Sequence, residues 1–519
     1  MAVTPSRTTL STEALTLFLF LLAGTALYAP ILGSFFLSDD FILVDAVRRG
    51  GPLGIWWRGA DFFRPLVSLS LYLDHSLWGL RPLGYHLTNV LAHSGCAFLV
   101  YRIALALGLD RLTARLGGIF FLLLPSHSEP VAWISGRTDV LAALLGLAAL
   151  DLYLRFRSHG RPGALALAVG LFLAGLGAKE SVLPVFAIVF LTDVLLARPA
   201  AGAARRRRRV TLVFVGAVGA YLLVRRAVLG KWLGGYGAAV HLKQGGPQLL
   251  ANLVLFPLRA LGWQLPAALL PRSLPTTGVQ QAALQALRSH LPGWALLLPA
   301  MAGAAGAAAL SLWVGRAARR RLSRPQLLTV GFCLGSFYLA LLPVLSLTVS
   351  LLSSDGERFL YFPSAFAVLA AVALLRYWLR GRWAQRSALA LLLGFYAAAL
   401  EYANHSWQAA GQLAAQLVAQ LRKEPAAPPL LLANLPDSLG GAFVFRNGLE
   451  AALRLFDPVP RQVLVLSRHT LLDRKDAVTV TVTAPSPPSR PSTELTIQLA
   501  EPRAYFFSIT PPPAASGLA

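Results

Sequence analysis

Runs of about 17–25 apolar residues recur from the N-terminus to about residue 402, and no other feature restricts the fold as strongly. A helix of that length crosses a hydrocarbon core of roughly 30 Å. Inside the core every backbone N–H and C=O must find its partner within the protein, so such runs form helices. Of 519 residues, 56% are hydrophobic and 13% are charged, against about 25% charged in an ordinary soluble domain. The expected fold is a polytopic α-helical membrane protein.

Arginine clusters set the path through the bilayer, because basic residues stay in cytoplasmic loops. They occur at Arg155 to Arg161, Arg205 to Arg209, Arg316 to Arg324 and Arg376 to Arg386. Hydropathy and parity then give spans at about 13–34, 84–107, 112–126, 138–155, 163–178, 181–197 and 210–228. The stretch at about 249–270, broken by Pro257, Arg259 and Pro266, reads as re-entrant or interfacial. Spans follow at about 291–314, 326–350, 358–378 and 386–402. This makes about eleven crossings, with the N-terminus cytoplasmic and the C-terminus extracytoplasmic. The first run, Ala14 to Phe36, exceeds the 7–15 residues of a signal-peptide core and reads as an uncleaved anchor.

The net charge of +24 does not indicate nucleic-acid binding, because it sits in these inter-span clusters. Cys96 and Cys333 both lie in apolar runs and build neither a disulfide framework nor a zinc site. Basic residues that are nearly all arginine suggest a GC-rich bacterial genome, hence the bacterial inner membrane. After Glu401 the character changes. Proline-rich stretches at 424–436 and 484–492 bracket period-two segments such as Val463 to Leu466 and Val478 to Val482, and Gly441 to Phe456 has helical spacing. The expected division is a membrane domain over 1–402 and a small extracytoplasmic α+β domain over 403–519.

On this topology the polar clusters collect on the outer side. Asp39 and Asp40 end the first span, and Arg64 follows in the same loop. His127, Glu129, Arg137 and Asp139 join the third and fourth spans, Lys179 and Glu180 the fifth and sixth, and Glu357 and Arg358 the last long pair. A loop carboxylate is ordinarily just solvated, and Lys179-Glu180 could be an interfacial ion pair. Several clusters converging on one face instead mark a functional site. Sugar transfer from a lipid phosphate needs such groups together: a carboxylate to take the acceptor's proton, and cations to hold the charge growing on the departing phosphate. Trp56-Trp57 and Phe62-Phe63 suit the first loop to an interfacial helix beside that substrate.

The order Asp39-Asp40, Arg64-Pro65-Leu66, Gly84 to His93, Pro125 to Asp139, Lys179-Glu180, then Glu357 to Ser364 resembles the GT-C superfamily of membrane glycosyltransferases. Within it, the sequence is most similar to the transmembrane O-mannosyltransferases with tetratricopeptide repeats and to their bacterial relatives. The resemblance covers roughly residues 10–400. It implies inverting transfer of a monosaccharide, mannose or a similar hexose, from a polyprenyl-phosphate carrier, with Asp39 or Asp40 as the first-loop base. Charge then makes Arg137, Lys179 and Arg358 candidate phosphate contacts, with His127 and Glu129 on the acceptor side. The repeats are absent here, so the acceptor stays open: a protein, a lipid-linked glycan or a surface polymer.

His86, Asn89 and His93 share one helical face, which suits either a cavity lining or inter-helix hydrogen bonds. Two adjacent acids could hold a divalent cation, but neighbours on a helix point apart and no spacing compels a metal site. Asn404-His405-Ser406 matches a glycosylation sequon and in a bacterial chain reads as chance. Two other functions compete. A sugar-lipid transporter or flippase would show half-repeats and midplane charges, and an inactive relative would act only as an assembly partner.

Overall fold

The computed structural model describes residues 7–54, 62–196, 202–232, 252–253, 256–262, 322–345, 347, 354–379, 381–424, 430–433, 435–457, 459–460, 462–465, 468–471, 478–483 and 493–499. The chain opens with α1 (Arg7–Leu27), the short α2 (Ala29–Leu32), α3 (Asp39–Gly54), α4 (Pro65–Trp78), α5 (Pro82–Ala106) and α6 (Arg111–Leu123). Proline begins α4 and α5, where its missing N–H costs nothing. Asp110 caps α6 by accepting from the amides of Leu112 and Thr113. The first loop therefore holds two helices, α3 and α4, on either side of 55–61. Trp56-Trp57 lies outside the described residues.

Next come α7 (Ser128–Ala132), α8 (Arg137–His159), α9 (Pro162–Leu176), α10 (Val185–Leu195) and α11 (Ala203–Leu229). Helix α10 is shorter than the run at 181–197 because Pro184, which has no N–H to give, separates it from a 3-10 turn at Glu180–Val182. The helices α12 (Arg324–Leu341), α13 (Tyr361–Trp378) and α14 (Arg382–Leu421) complete the bundle. Among the described residues, four helical segments are long and apolar enough to cross a membrane: Pro82–Ala106, Ala204–Leu229, Glu357–Trp378 and Arg382–Leu421. Ser11–Leu27 and Pro162–Leu176 are shorter apolar helices. This is a multi-pass membrane protein. The run at 291–314 and most of that at 249–270 lie outside the described residues.

Small residues bring the helices close. A Cβ on Gly118 would sit 2.7 Å from the Ala97 carbonyl oxygen, so α5 and α6 can meet only with glycine there. Helix α14 departs most from expectation. It has 40 residues, about 60 Å at 1.5 Å per residue, and runs unbroken through the 402/403 boundary. Most of its buried side chains lie past that point, from Asn404 to Leu421, so its second half packs on protein instead of lipid.

Strands β1 (Leu430–Ala433), β2 (Leu435–Leu439) and β3 (Ala442–Phe443), helix α15 (Leu449–Phe456), and strands β4 (Val463–Val465), β5 (Arg468–Leu471), β6 (Val478–Thr483) and β7 (Thr493–Leu499) follow. They form one sheet in the order β4-β1-β7-β6 and another in the order β3-β2-β5. β1 runs parallel to β4 and β7, whereas β6 and β7 are antiparallel. The turn after β3 and helix α15 lie on α3 and the segment just before it: the Phe445 ring stacks on Phe41 at 5.6 Å, and Phe456 meets Phe35 at 4.9 Å.

Candidate functional site

Asp39 and Asp40 begin α3 and have opposite surroundings, because successive side chains on a helix diverge. Asp40 is 1% exposed. Its Oδ1 accepts from Ser135 N at 2.7 Å and Ser135 Oγ at 2.6 Å, and its Oδ2 accepts from Leu37 N at 3.0 Å. It hooks the first loop to the turn before α8. Asp39 is only half-buried, and its Oδ1 accepts from Asn447 Nδ2 at 2.9 Å. The pair therefore does not present two carboxylates to one point. Among the described residues, no three His, Cys, Asp or Glu side chains come together as a metal site.

Burial pushes the Asp40 carboxyl up to about 7 from an ordinary 3.8, against the pull of its three hydrogen bonds. A raised folded value means that between roughly pH 4 and 7 the native state holds a proton that the unfolded state has released. Stability from this group is thus full below about pH 4 and is lost as pH rises through about 7. Asp40→Asn, neutral throughout, is expected to remove this slope. Relative to the unaltered protein it should gain up to about 4 kcal/mol between pH 4 and pH 7, beyond any constant offset. Thermal unfolding in nanodiscs across that range measures it, and parallel curves for the two proteins would disprove the linkage.

The second constellation joins α7 to the turn before α13. Glu129 is fully buried; it accepts from Arg358 N at 2.9 Å and forms an ion pair with the Arg358 guanidinium. Burial raises its carboxyl despite that positive charge. Arg358 keeps 20% of its side chain exposed and lies over the rings of Phe359 at 4.7 Å, Trp133 at 5.4 Å and Phe443 at 5.9 Å. The Trp133 indole N–H donates to the Leu37 carbonyl at 3.2 Å. One tryptophan thereby touches both the acidic loop and the arginine. Arg446 extends the shelf, over Phe443 at 4.3 Å and paired with Asp355 and Asp437.

The other expected residues are set deeper. Arg137 is 0% exposed. It pairs with Asp74 at 2.6 Å and donates to Tyr85 O at 2.9 Å, Asn89 Oδ1 at 3.0 Å and Ser70 Oγ at 3.3 Å. Lys179 is buried against Asp139, at 2.6 and 2.7 Å to the two carboxylate oxygens. Its ammonium lies 5.1 Å from the Phe359 ring. Glu357 is buried against Arg259 at 2.9 Å. His127 bonds Ser364 Oγ at 2.8 Å between the Phe121 and Tyr361 rings. Arg64 lies 4.1 Å over Phe62, and both it and Glu180 act electrostatically on Tyr221.

His86, Asn89 and His93 make inter-helix bonds. They reach, respectively, Ser34 O; the carbonyls of Val131, Trp133 and Ile134; and Tyr361 Oη. Sequence reasoning missed Asp74, Ser135, Arg259 and Asn447. Asp74, a lone acid in an otherwise apolar helical run, was the one with a readable signal.

No protein-family model matches the chain. It is 36% identical over 159 residues to the protein O-mannosyl-transferase Tmtc1 of Drosophila melanogaster, a match covering 31% of this chain and 18% of that protein. To Tmtc2 of Drosophila melanogaster it is 34% identical over 193 residues, covering 33% and 20%. To TMTC2 of Mus musculus it is 42% identical over 93 residues, covering 18% and 11%. The likeness to transmembrane O-mannosyltransferases is real over these segments, which span a fifth or less of each relative's length. Among solved structures, ArnT from Cupriavidus metallidurans bound to undecaprenyl phosphate aligns at a TM-score of 0.48 with 12% identity. That alignment covers 86% of this chain and 85% of that one; at that score the likeness decides nothing.

Proposed function

We propose that this protein is an inverting glycosyltransferase that moves a hexose from a polyprenyl-phosphate donor to an acceptor hydroxyl on the outer face of the membrane. Asp39 is the general base. The observation that carries this reading is the division of labour in the acidic pair. Both oxygens of Asp40 are held by Ser135 and Leu37, whereas Asp39 is half-buried with Oδ2 unbonded among the described residues. Asp39 takes the acceptor's proton as that oxygen attacks the sugar C1 from the side opposite the phosphate. The C1–O bond to phosphate breaks, its electron pair stays on the phosphate, and the anomeric configuration inverts.

The charge growing on the leaving phosphate needs a cation that the donor can reach. Arg358, paired with Glu129 but with a fifth of its side chain exposed on the aromatic shelf, suits this role better than Arg137 or Lys179, whose side chains are almost wholly buried. The names of the matched relatives, protein O-mannosyl-transferases, support mannose as the first sugar to test.

The test places the purified chain in nanodiscs with radiolabelled polyprenyl-phosphate-mannose or polyprenyl-phosphate-glucose. Sugar release is expected from one of the two, and none from the Asp39→Ala variant. Release undiminished in the variant would refute the proposal. Movement of intact donor between leaflets without release would favour a flippase.

A further inference from the structure

The C-terminal segment from Gly441 to Phe456 grips the first loop and the 354–358 turn together. Ser38 N donates to Val444 O at 2.9 Å, Asn447 N donates to Ser38 Oγ at 3.3 Å, and Asn447 Nδ2 donates to Asp39 Oδ1 at 2.9 Å. Arg454 pairs with Asp45 at 3.0 Å. On the other side Ser354 Oγ donates to Gly441 O at 2.8 Å, and Arg446 pairs with Asp355 at 2.9 Å.

Two backbone details tie this grip to Asp39. Ser38, immediately before it, has φ +49° and is the one non-glycine in the left-handed region among the described residues. Such a conformation persists only where the surroundings hold it. Gly448, at φ +86°, lies against the Ser38 carbonyl so closely that any Cβ would collide with it. Asn447 and Gly448 are thus fitted to this one turn.

We infer that Asn447 is a positioning residue for the transfer: its amide fixes Oδ1 of Asp39, so that Oδ2 is the oxygen turned to the acceptor hydroxyl. This rests on Asp39 being the base. A carboxylate held by one donor keeps a single orientation, whereas an unheld one must be oriented at each turnover. On this inference the C-terminal segment is part of the site.

The test uses the full chain in nanodiscs with polyprenyl-phosphate-mannose and compares Asn447→Ala, Asn447→Asp, Asn447→Gln and Asp39→Ala. Losing one hydrogen bond to a charged group is expected to lower kcat about tenfold or more in Asn447→Ala, with KM for the donor unchanged. Asn447→Asp matches asparagine in size but sets acceptor against acceptor, and should fall further. Asn447→Gln, which retains the amide, should recover much of the loss. In thermal unfolding, the losses of Asn447→Ala and Asp39→Ala should not add in the double variant. Unchanged kcat in Asn447→Ala and Asn447→Asp, with Asp39→Ala inactive, would overturn the positioning role and leave the base assignment standing. Full activity in Asp39→Ala would remove the base assignment; additive thermal losses would then remove the contact as well.

Discussion

Asp39→Asn is expected to lower transfer by a factor on the order of a hundred to ten thousand, the usual worth of a general base, while thermal stability hardly changes. The reason is local. Asparagine has the same shape, and its side-chain oxygen still accepts from Asn447 at the place where Asp39 Oδ1 does. What disappears is the ability to take a proton. The neighbouring substitution should behave oppositely. Asp40→Ala leaves Ser135 N and Leu37 N without their buried acceptor, and unpaired buried donors cost about 1–3 kcal/mol each. Sugar release and unfolding temperature, measured on both variants in the same nanodiscs, separate the two roles. If Asp39→Asn retained activity within about tenfold of the unaltered protein, a group other than this carboxylate would have to be the base.

The second large effect is on folding. Arg137→Ala is expected to destabilise the bundle by about 3–5 kcal/mol, because it strands Asp74 as an unpaired buried charge. Each of the three guanidinium nitrogens has an acceptor: Nε has Asn89, Nη1 has Ser70, and Nη2 has Asp74 and the Tyr85 carbonyl. Lysine, a single point charge, cannot replace that fork, so Arg137→Lys should also lose stability. Asp74→Asn/Arg137→Met should recover part of the loss by removing both charges together. Unfolding temperatures of the four proteins decide the matter. If Arg137→Ala unfolded like the unaltered protein while KM for the donor rose, Arg137 would be a phosphate contact after all.

Apolar length and arginine spacing were enough to read a multi-pass helical membrane protein, and the motif order was enough to read the likeness to O-mannosyltransferases. The grouping of Asp39-Asp40, Glu129 and Arg358 around Trp133 was also partly readable, since alternate loops between spans meet at one end of a bundle. The pairing was not. Arg137 and Asp74, or Arg259 and Glu357, are charges inside segments whose hydropathy is set by their neighbours, and nothing local names a partner on another helix. Helix α14 was cut short in the sequence reading because hydropathy falls after Glu401, although the helix continues: its second half buries side chains against protein, so polar residues such as Asn404, which donates to Leu27 O, do not interrupt it. Asn447 was unreadable for a related reason, since an asparagine before a glycine signals only a turn.

The bond between Asn447 and Asp39 joins residues 408 positions apart. A ribosome delivers the first loop early and its clamp only after the four long apolar helices of the described residues have been made. Closing a loop of that size carries an entropic cost that grows slowly with length, so distance is no great obstacle, but order of synthesis is. During translation the acidic turn waits at the membrane without its partner, and Ser38 has nothing to hold its φ. The newborn protein is therefore completed backwards: a turn made early is among the last to be finished, and a chain that stops short of Asn447 carries an Asp39 without the amide that holds its Oδ1.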